Sequence, residues 1–145
     1  MKENALISVT TNLVYEDDGI DSIEMITQGQ YCVNDGEFII KYSESDPEQI
    51  GNINTTMTIS PDGLVTIVRE GDIHSHMVFE QGHKHLMHYD TQYGSITVGI
   101  SAKKVATLLG ENGGDVEIDY AIEIDNALAS ENTLRLNVRK SSIPS

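Results

Sequence analysis

Apolar and polar residues alternate along most of this chain, and the alternation constrains the fold more than any other feature. In DVEIDYAIEID, residues 115–125, every second residue from Val116 to Ile124 is apolar or aromatic, and acidic residues fill most positions between. The same period recurs in LRLNV, residues 134–138, and in EFIIKYSE, residues 37–44. A strand with one buried and one solvated face has this period, so the pattern predicts an all-β protein.

Short turn sequences separate the predicted strands: EDDG, NDG, SPDG, EQG, QYG and ENGGD. Such short connections join antiparallel neighbours, and we count nine or ten strands. Closure into a barrel, or folding into a sandwich, protects the edges of so large a sheet. We therefore predict a single antiparallel β-barrel of eight to ten strands over residues 1–141, with a short polar tail, 142–145.

The alternation also predicts which side chains fill the barrel. We expect the following residues inside: Ile7, Val9, Leu13, Phe38, Ile40, Met57, Ile59, Val65, Ile67, Val98, Ile118, Tyr120, Ile122, Leu134 and Leu136. The stretch SAKKVATLLG, residues 101–110, departs from the period and contains good helix formers. It is either a short helix or, as we favour, part of a long bent strand with a break near Ser101.

One hairpin has a predictable register. In INTTMTISPDGLVTIVREG, a three-residue Pro-Asp-Gly loop would pair Ser60 with Leu64 and Thr55 with Arg69, with apolar residues coinciding on one face. This register places Arg69 on the inward face, where a buried guanidinium needs a carboxylate. Glu44, on the same face as Tyr42 in its own strand, is a candidate partner; the alternative is that Arg69 caps the rim of the sheet.

All five histidines lie in GDIHSHMVFEQGHKHLMHYDTQYG, residues 71–94. A two-residue turn at Gln81 and Gly82 would place two His-x-His pairs on one face: His74, His76, His83 and His85. A three-residue loop would instead turn the two pairs to opposite faces. Ile73, Met77 and Phe79 form the apolar side of the first strand, so His74 and His76, at the positions between, are predicted to point outward.

The histidine pairs have the spacing of a metal site, but no Cys, Asp or Glu completes a known ligand spacing. A solvated outer face is the more economical interpretation of His74, His76, His83 and His85, with a metal-binding protein or metalloenzyme as the alternative. We expect no cofactor.

Charge and composition exclude several function classes. The chain of 145 residues has 9 Lys and Arg against 23 Asp and Glu, a net charge of −14, which disfavours nucleic-acid and membrane-surface partners. One cysteine and no signal peptide or long apolar run predict a cytoplasmic protein. The sequence lacks a phosphate loop or nucleophile elbow, so we expect a protein that is not an enzyme.

Several short motifs, in this order, resemble a known family: TQGQY, YSES, VTIVREG, HYDTQYG and VEIDYAIEID. They are similar to the YwiB-like proteins of bacteria, a family of unknown function. Its Arg-x-Gly pair is matched by Arg69 and Gly71, and its Tyr-x-Thr-x-x-Gly by residues 89–94. Its acidic residue after Tyr42 is matched by Glu44, whereas the histidine cluster does not belong to the family pattern.

The resemblance implies a calycin-like, or lipocalin-like, β-barrel, and with it a small apolar or amphipathic ligand in the barrel mouth. Arg69, Glu44, Tyr42 and Tyr89 are then the candidate ligand-binding residues, with an anionic head at Arg69. The alternative is a structural or protein-interaction barrel filled by its own side chains, for which a homodimer is one possible form.

Overall fold

The two-residue period of the sequence becomes ten β-strands in the computed structural model of the chain. The structure describes residues 3–15, 20–44, 53–71, 74–91 and 94–140, and their side chains except at positions 3, 15, 20, 21, 44 and 88–91; the predicted tail lies outside them. The strands are β1 (Glu3–Tyr15), β2 (Ile20–Asn34), β3 (Glu37–Glu44), β4 (Ile53–Ile59), β5 (Val65–Gly71), β6 (Ser75–Phe79), β7 (Lys84–Thr91), β8 (Gly94–Gly110), β9 (Gly113–Ile124) and β10 (Ala127–Lys140).

The strands form one antiparallel sheet in the order β6-β5-β4-β3-β2-β1-β10-β9-β8-β7. Chain neighbours pair with each other except β6 and β7, and the first strand pairs with the last from Ala5 opposite Lys140 to Tyr15 opposite Ser130. The sheet curls into a nearly closed barrel, which confirms the predicted fold class. No helix in the described ranges is long and apolar enough to span a membrane.

The β4–β5 hairpin has the predicted register. The Ser60 amide donates to the Leu64 carbonyl at 2.9 Å, and Thr55 lies opposite Arg69. Gly63 has φ +92°, a conformation that disfavours residues with a Cβ, so glycine suits the third loop position. The stretch 101–110 is strand, continuous with β8, and a register shift between Ala102 and Lys104 interrupts its pairing with β9.

Most of the predicted interior residues are buried, because inward positions repeat every two residues along each strand. Phe38 and Ile122 are half-buried and pack against the core. Leu13 is also half-buried, but it is not among the residues that form the core or pack against it. The interior also contains Tyr31 and Phe79, both with 0% exposure. Tyr31 stacks on Phe38 with ring centroids 6.3 Å apart, so aromatic rings fill this part of the barrel.

A seam separates β6 from β7, although the two strands follow each other in the chain. The turn between them closes through the His83 amide and the Glu80 carbonyl at 2.9 Å, but the Gly82 amide then donates to Ala102 of β8. No backbone ladder joins β6 to β7 among the described residues. The barrel is therefore nearly closed rather than closed.

The two ends of the barrel differ. Because connections in an up-and-down sheet alternate between ends, the turn at Asp125 and Asn126 lies at the same end as the last residues of β1, β3, β5 and β7. We call this the Asp125 end. The opposite end contains the turn at Pro61 and is called the Pro61 end.

Candidate functional site

Four polar residues form a row across the inner wall, on β3 to β6. Tyr42 lies opposite Thr55, Thr55 opposite Arg69, and Arg69 opposite Ser75. Directly opposite residues share a face of the sheet, so all four point into the barrel. Tyr42, Thr55 and Ser75 are 6%, 1% and 8% exposed. The sequence predicted Arg69 and Tyr42 as site residues, and the β4–β5 register placed Thr55 opposite Arg69, but neither Thr55 nor Ser75 was predicted as part of a site.

Arg69, on β5, is close enough to Tyr120, on β9, to affect its phenol. The side chain is half-buried and its Nε atom is buried. Burial raises the pKa of Tyr120 above its usual value, and the positive charge of Arg69 opposes that rise. The guanidinium therefore acts on the phenol electrostatically. The inward orientation predicted for Arg69 is what the β4–β5 register shows.

Asn132 extends this polar group onto β10. It lies opposite Tyr120 on one side and Leu13 on the other, and it is 4% exposed. Neither amide atom of its side chain has a hydrogen-bond partner among the described residues. A buried amide without partners costs about 1–3 kcal/mol per polar group, so the position calls for an explanation.

A signal for Asn132 was present in the sequence. Leu134 and Leu136 point inward, so the same parity extended by two residues toward the N-terminus places Asn132 inward as well. The electrostatic link from Arg69 to Tyr120 had no such signal, because it joins β5 to β9 across the barrel.

Half-buried apolar side chains lie nearer the Asp125 end than the buried core. Met25, Met87, Ile96 and Ile122 pack against the core without being enclosed by it. The middle of the barrel is instead filled, since Ile7, Met57 and Ile118 among others are 0% exposed. A void large enough for a ligand would leave its lining accessible, so these fully buried residues line no such void.

Two predicted ligand-binding residues fall on positions whose side chains lie outside the described set. The backbone of Glu44 pairs with Ile53, and that of Tyr89 pairs with Ile96. Both positions therefore belong to strand segments that run toward the Asp125 end. The pairing of Arg69 with Glu44 stays a prediction.

The histidines do not share one face. The turn has the two-residue form at Gln81 and Gly82, but His74 and His76 are exposed, outside the inward residues of β6. His85, by contrast, lies opposite Ile100, which is 2% exposed. The ladder between β7 and β8, and not the turn, determines which β7 side chains point into the barrel. The predicted register that places all four histidines on one face is therefore wrong.

Two histidines interact with one glutamate at the end of the seam. Glu80 Oε1 accepts a hydrogen bond from His85 Nε2 at 3.1 Å. The other carboxylate oxygen, Oε2, lies 3.9 Å from His83 Nε2. No set of three or more His, Cys, Asp or Glu side chains within the described ranges is arranged to hold a metal ion. Glu80 thus ties the start of β7 to the end of β6 where their ladder is missing.

The barrel and its polar interior can be compared with known proteins. A family model described as "Domain of unknown function (DUF1934)" matches residues 7–136. The chain belongs to this family. The description names no activity, so membership supports the fold and leaves the chemistry to be argued from the site.

A sequence match and a structural match, both to proteins named YwiB, agree with this assignment. The "Uncharacterized beta-barrel protein YwiB" of Bacillus subtilis (strain 168) is 27% identical over 125 residues, 86% of each chain. The crystal structure of the ywiB protein from Bacillus subtilis superposes with a TM-score of 0.81 at 20% identity, covering 97% of this chain and 94% of that one. The resemblance to the YwiB-like proteins is confirmed, and the structural match shows the shared fold.

Proposed function

We propose that this protein is a binding module, not an enzyme, which takes a small amphipathic molecule at the Asp125 end of the barrel. The polar head of the ligand lies among Arg69, Tyr120 and Asn132, and an anionic head suits the guanidinium. The apolar part lies against Met87, Ile96 and Ile122. The filled middle of the barrel limits how deeply the ligand enters.

The buried amide of Asn132 is the observation that carries the proposal. A leucine, whose side chain has the same branched arrangement of heavy atoms, would avoid the cost of burying an amide without partners among the described residues. Binding sites commonly keep such polar groups at the expense of stability, because they orient a ligand inside an apolar surround. Tyr120 lies directly opposite Asn132, and the charge of Arg69 acts on its phenol, so one polar head can contact all three.

The test pairs binding with stability. A fluorescent, fatty-acid-like probe with a carboxylate head is titrated into the wild type, Arg69→Met and Asn132→Leu, and unfolding in urea is measured for each. We expect Asn132→Leu to raise the free energy of unfolding by about 1–3 kcal/mol while weakening probe binding at least about fivefold. Arg69→Met should weaken binding of the carboxylate probe more than that of an uncharged alcohol with the same tail.

Asn137→Leu is the matched control, since Asn137 lies on the outer face of the same strand and donates to Asp115 at 2.7 Å. It should leave probe binding unchanged. The proposal is wrong if the wild type shows no saturable binding, or if Asn132→Leu stabilises the fold and binds the probe as well as the wild type does.

A further inference from the structure

A trough with a volume of about 990 Å³ crosses the outer wall over β10, β1, β2, β3 and β4. Runs of consecutive residues line it, such as 4–6, 28–30, 41–43 and 54–56. In each run the middle residue points inward and its neighbours point outward, so the trough lies between two rows of outward side chains with backbone as its floor. It is thus on the opposite side of the sheet from the Arg69 site.

The pairing registers define the two rows. In one row Arg139 lies opposite Leu6, and Leu6 opposite Gln28. In the other, Gln30 lies opposite Lys41. Five strands at about 4.8 Å spacing give the trough a length of about 19 Å, and the rows are about 7 Å apart.

Gly29 lies in the middle of the trough floor, and its Cβ position faces the barrel interior. A Cβ at this position would lie 2.1 Å from the carbonyl oxygen of Lys41 and 2.5 Å from Ile7 Cδ1, so strands β2 and β3 approach more closely than any other residue allows. This close approach lies directly between the two rows.

The charges in the trough are unlike those of the rest of the protein. The chain has 23 acidic and 9 basic residues, yet none of the described residues that line the trough carries a carboxylate, and three are cationic: Lys41, Arg139 and Lys140. Lys41 and Arg139 form no ion pair with any described side chain.

The other wall shows the contrast. Lys103 lies 2.9 Å from Glu131, Lys104 lies 3.7 Å from Glu117, and Lys84 pairs with Glu123. An acidic chain would be expected to neutralise its few cations in this way. Lys41 and Arg139 have no such carboxylate among the described side chains and lie beside the amides and hydroxyls of the trough, so they are available to bind an anion.

We infer that this trough binds a small molecule that carries two or more phosphate or carboxylate groups. Lys41 and Arg139 are three strands apart, about 14 Å between their backbones, so two separate anionic groups satisfy them better than one. The amides of Gln28 and Gln30 lie between the cations and donate hydrogen bonds to the linking part of the ligand.

The net charge of −14 does not prevent such binding, because at physiological salt charges are screened over about 8 Å and the local field of the trough is positive. It does disfavour long anionic polymers, which would extend from the trough onto the acidic surface. The ligand is therefore a small polyanion and not a nucleic acid.

Isothermal titration calorimetry with inorganic tripolyphosphate and, separately, with citrate tests the inference and distinguishes phosphate from carboxylate. We expect saturable binding of at least one of them at physiological salt, weakened about tenfold or more by Lys41→Gln and by Arg139→Gln. Lys103→Gln and Lys104→Gln remove the same charge from the other wall and should change the affinity less than about twofold. Circular dichroism and thermal unfolding verify that each variant is folded.

The outcomes separate this trough from the interior site. Arg69→Met and Asn132→Leu should leave the binding of tripolyphosphate or citrate unchanged, and Lys41→Gln should leave the binding of the fatty-acid-like probe unchanged. Absence of saturable binding for both polyanions overturns the inference. So does an equal loss of affinity in Lys41→Gln and Lys103→Gln, because the effect would then follow from overall charge alone.

Discussion

At the scale of single residues, Tyr31 shows how one buried side chain joins distant parts of the barrel. Its ring is fully buried against Phe38, and its hydroxyl donates to the carbonyl of Gly110 at 2.6 Å. Gly110 ends β8, 79 positions further along the chain. The bond therefore attaches β2 to the β8–β9 turn across the Pro61 end. A sequence pattern of period two cannot predict it.

Burial raises the pKa of Tyr31 to about 12, and this shift makes the free energy of unfolding depend on pH. In the unfolded chain the phenol ionises near pH 10, so between about pH 10 and 12 the unfolded state loses a proton that the folded state keeps. The contribution of Tyr31 is present below pH 10 and is lost as the pH rises toward 12. Tyr120, whose pKa burial also raises, acts in the same direction.

Tyr31→Phe tests this contribution. At neutral pH the variant should lose about 1 kcal/mol of unfolding free energy, because the Gly110 carbonyl loses its donor. Between pH 9 and about 11 its stability should fall less steeply than that of the wild type, by up to about 1.4 kcal/mol per pH unit. Urea unfolding at several pH values measures both effects. Parallel pH profiles for the two proteins would show that Tyr31 ionises normally in the fold.

Residues of the interior site differ in how far the sequence reveals them. Arg69 was placed inward because a short turn fixes its strand register, and the structure has that register. Asn132 has the inward parity of Leu134 and Leu136, but residues 130–133 are all polar, so an inward asparagine among them does not stand out by polarity alone. The approach of Arg69 to Tyr120 required knowledge of how the barrel closes.

At the scale of elements, the local hairpins were predictable and the seam was not. The β4–β5 register follows from Pro61, Asp62 and Gly63 together with alternation on both sides. The β6–β7 turn has one of the two predicted forms, yet the strands part beyond it because β7 pairs with β8. Which of two partners an edge strand takes depends on barrel closure, and no short sequence signal encodes closure.

The seam predicts an alternating pattern of hydrogen exchange in β6. One edge of this five-residue strand pairs with β5 from Ser75 to Phe79, and its other edge has no ladder among the described residues. Amides directed at β5 should exchange slowly, and those directed at the seam about as fast as exposed amides. Amide exchange followed by NMR measures this residue by residue. Uniform protection along β6 would mean that β6 and β7 form a ladder in solution.

At the scale of the whole molecule, ion pairs concentrate on one side of the barrel. Lys84, Lys103, Lys104 and Arg135 all lie on β7, β8 or β10 and each has a glutamate within 4 Å, on β9 or β10. The cations of the trough lie on β3 and β10, on the wall away from most of these pairs. The few Lys and Arg side chains of the chain are therefore distributed between two places. On the β7–β10 wall glutamates neutralise them, whereas in the trough they leave a positive local charge.

The net charge predicts the direction in which salt changes stability. The charge of −14 repels itself more strongly in the compact fold than in the unfolded chain, and salt screens that repulsion. Salt also weakens the exposed ion pairs, but such pairs contribute only about 0–1 kcal/mol each. Since 23 acidic residues face 9 basic ones, most carboxylates have no cation nearby, and repulsion should dominate. The thermal midpoint should therefore rise when sodium chloride is raised from about 10 to about 150 mM at pH 7.5.

Two controls separate screening from other effects of salt. Near the sequence pI of about 4.5 the net charge is small, so at pH 5 the rise in midpoint should shrink or reverse as only the ion pairs remain to be screened. At matched ionic strength and pH 7.5, tripolyphosphate should raise the midpoint further than sodium chloride does if it occupies the trough, and Arg139→Gln should remove that excess. A midpoint that falls with sodium chloride at pH 7.5 would show that the ion pairs of the β7–β10 wall outweigh the repulsion among the remaining carboxylates.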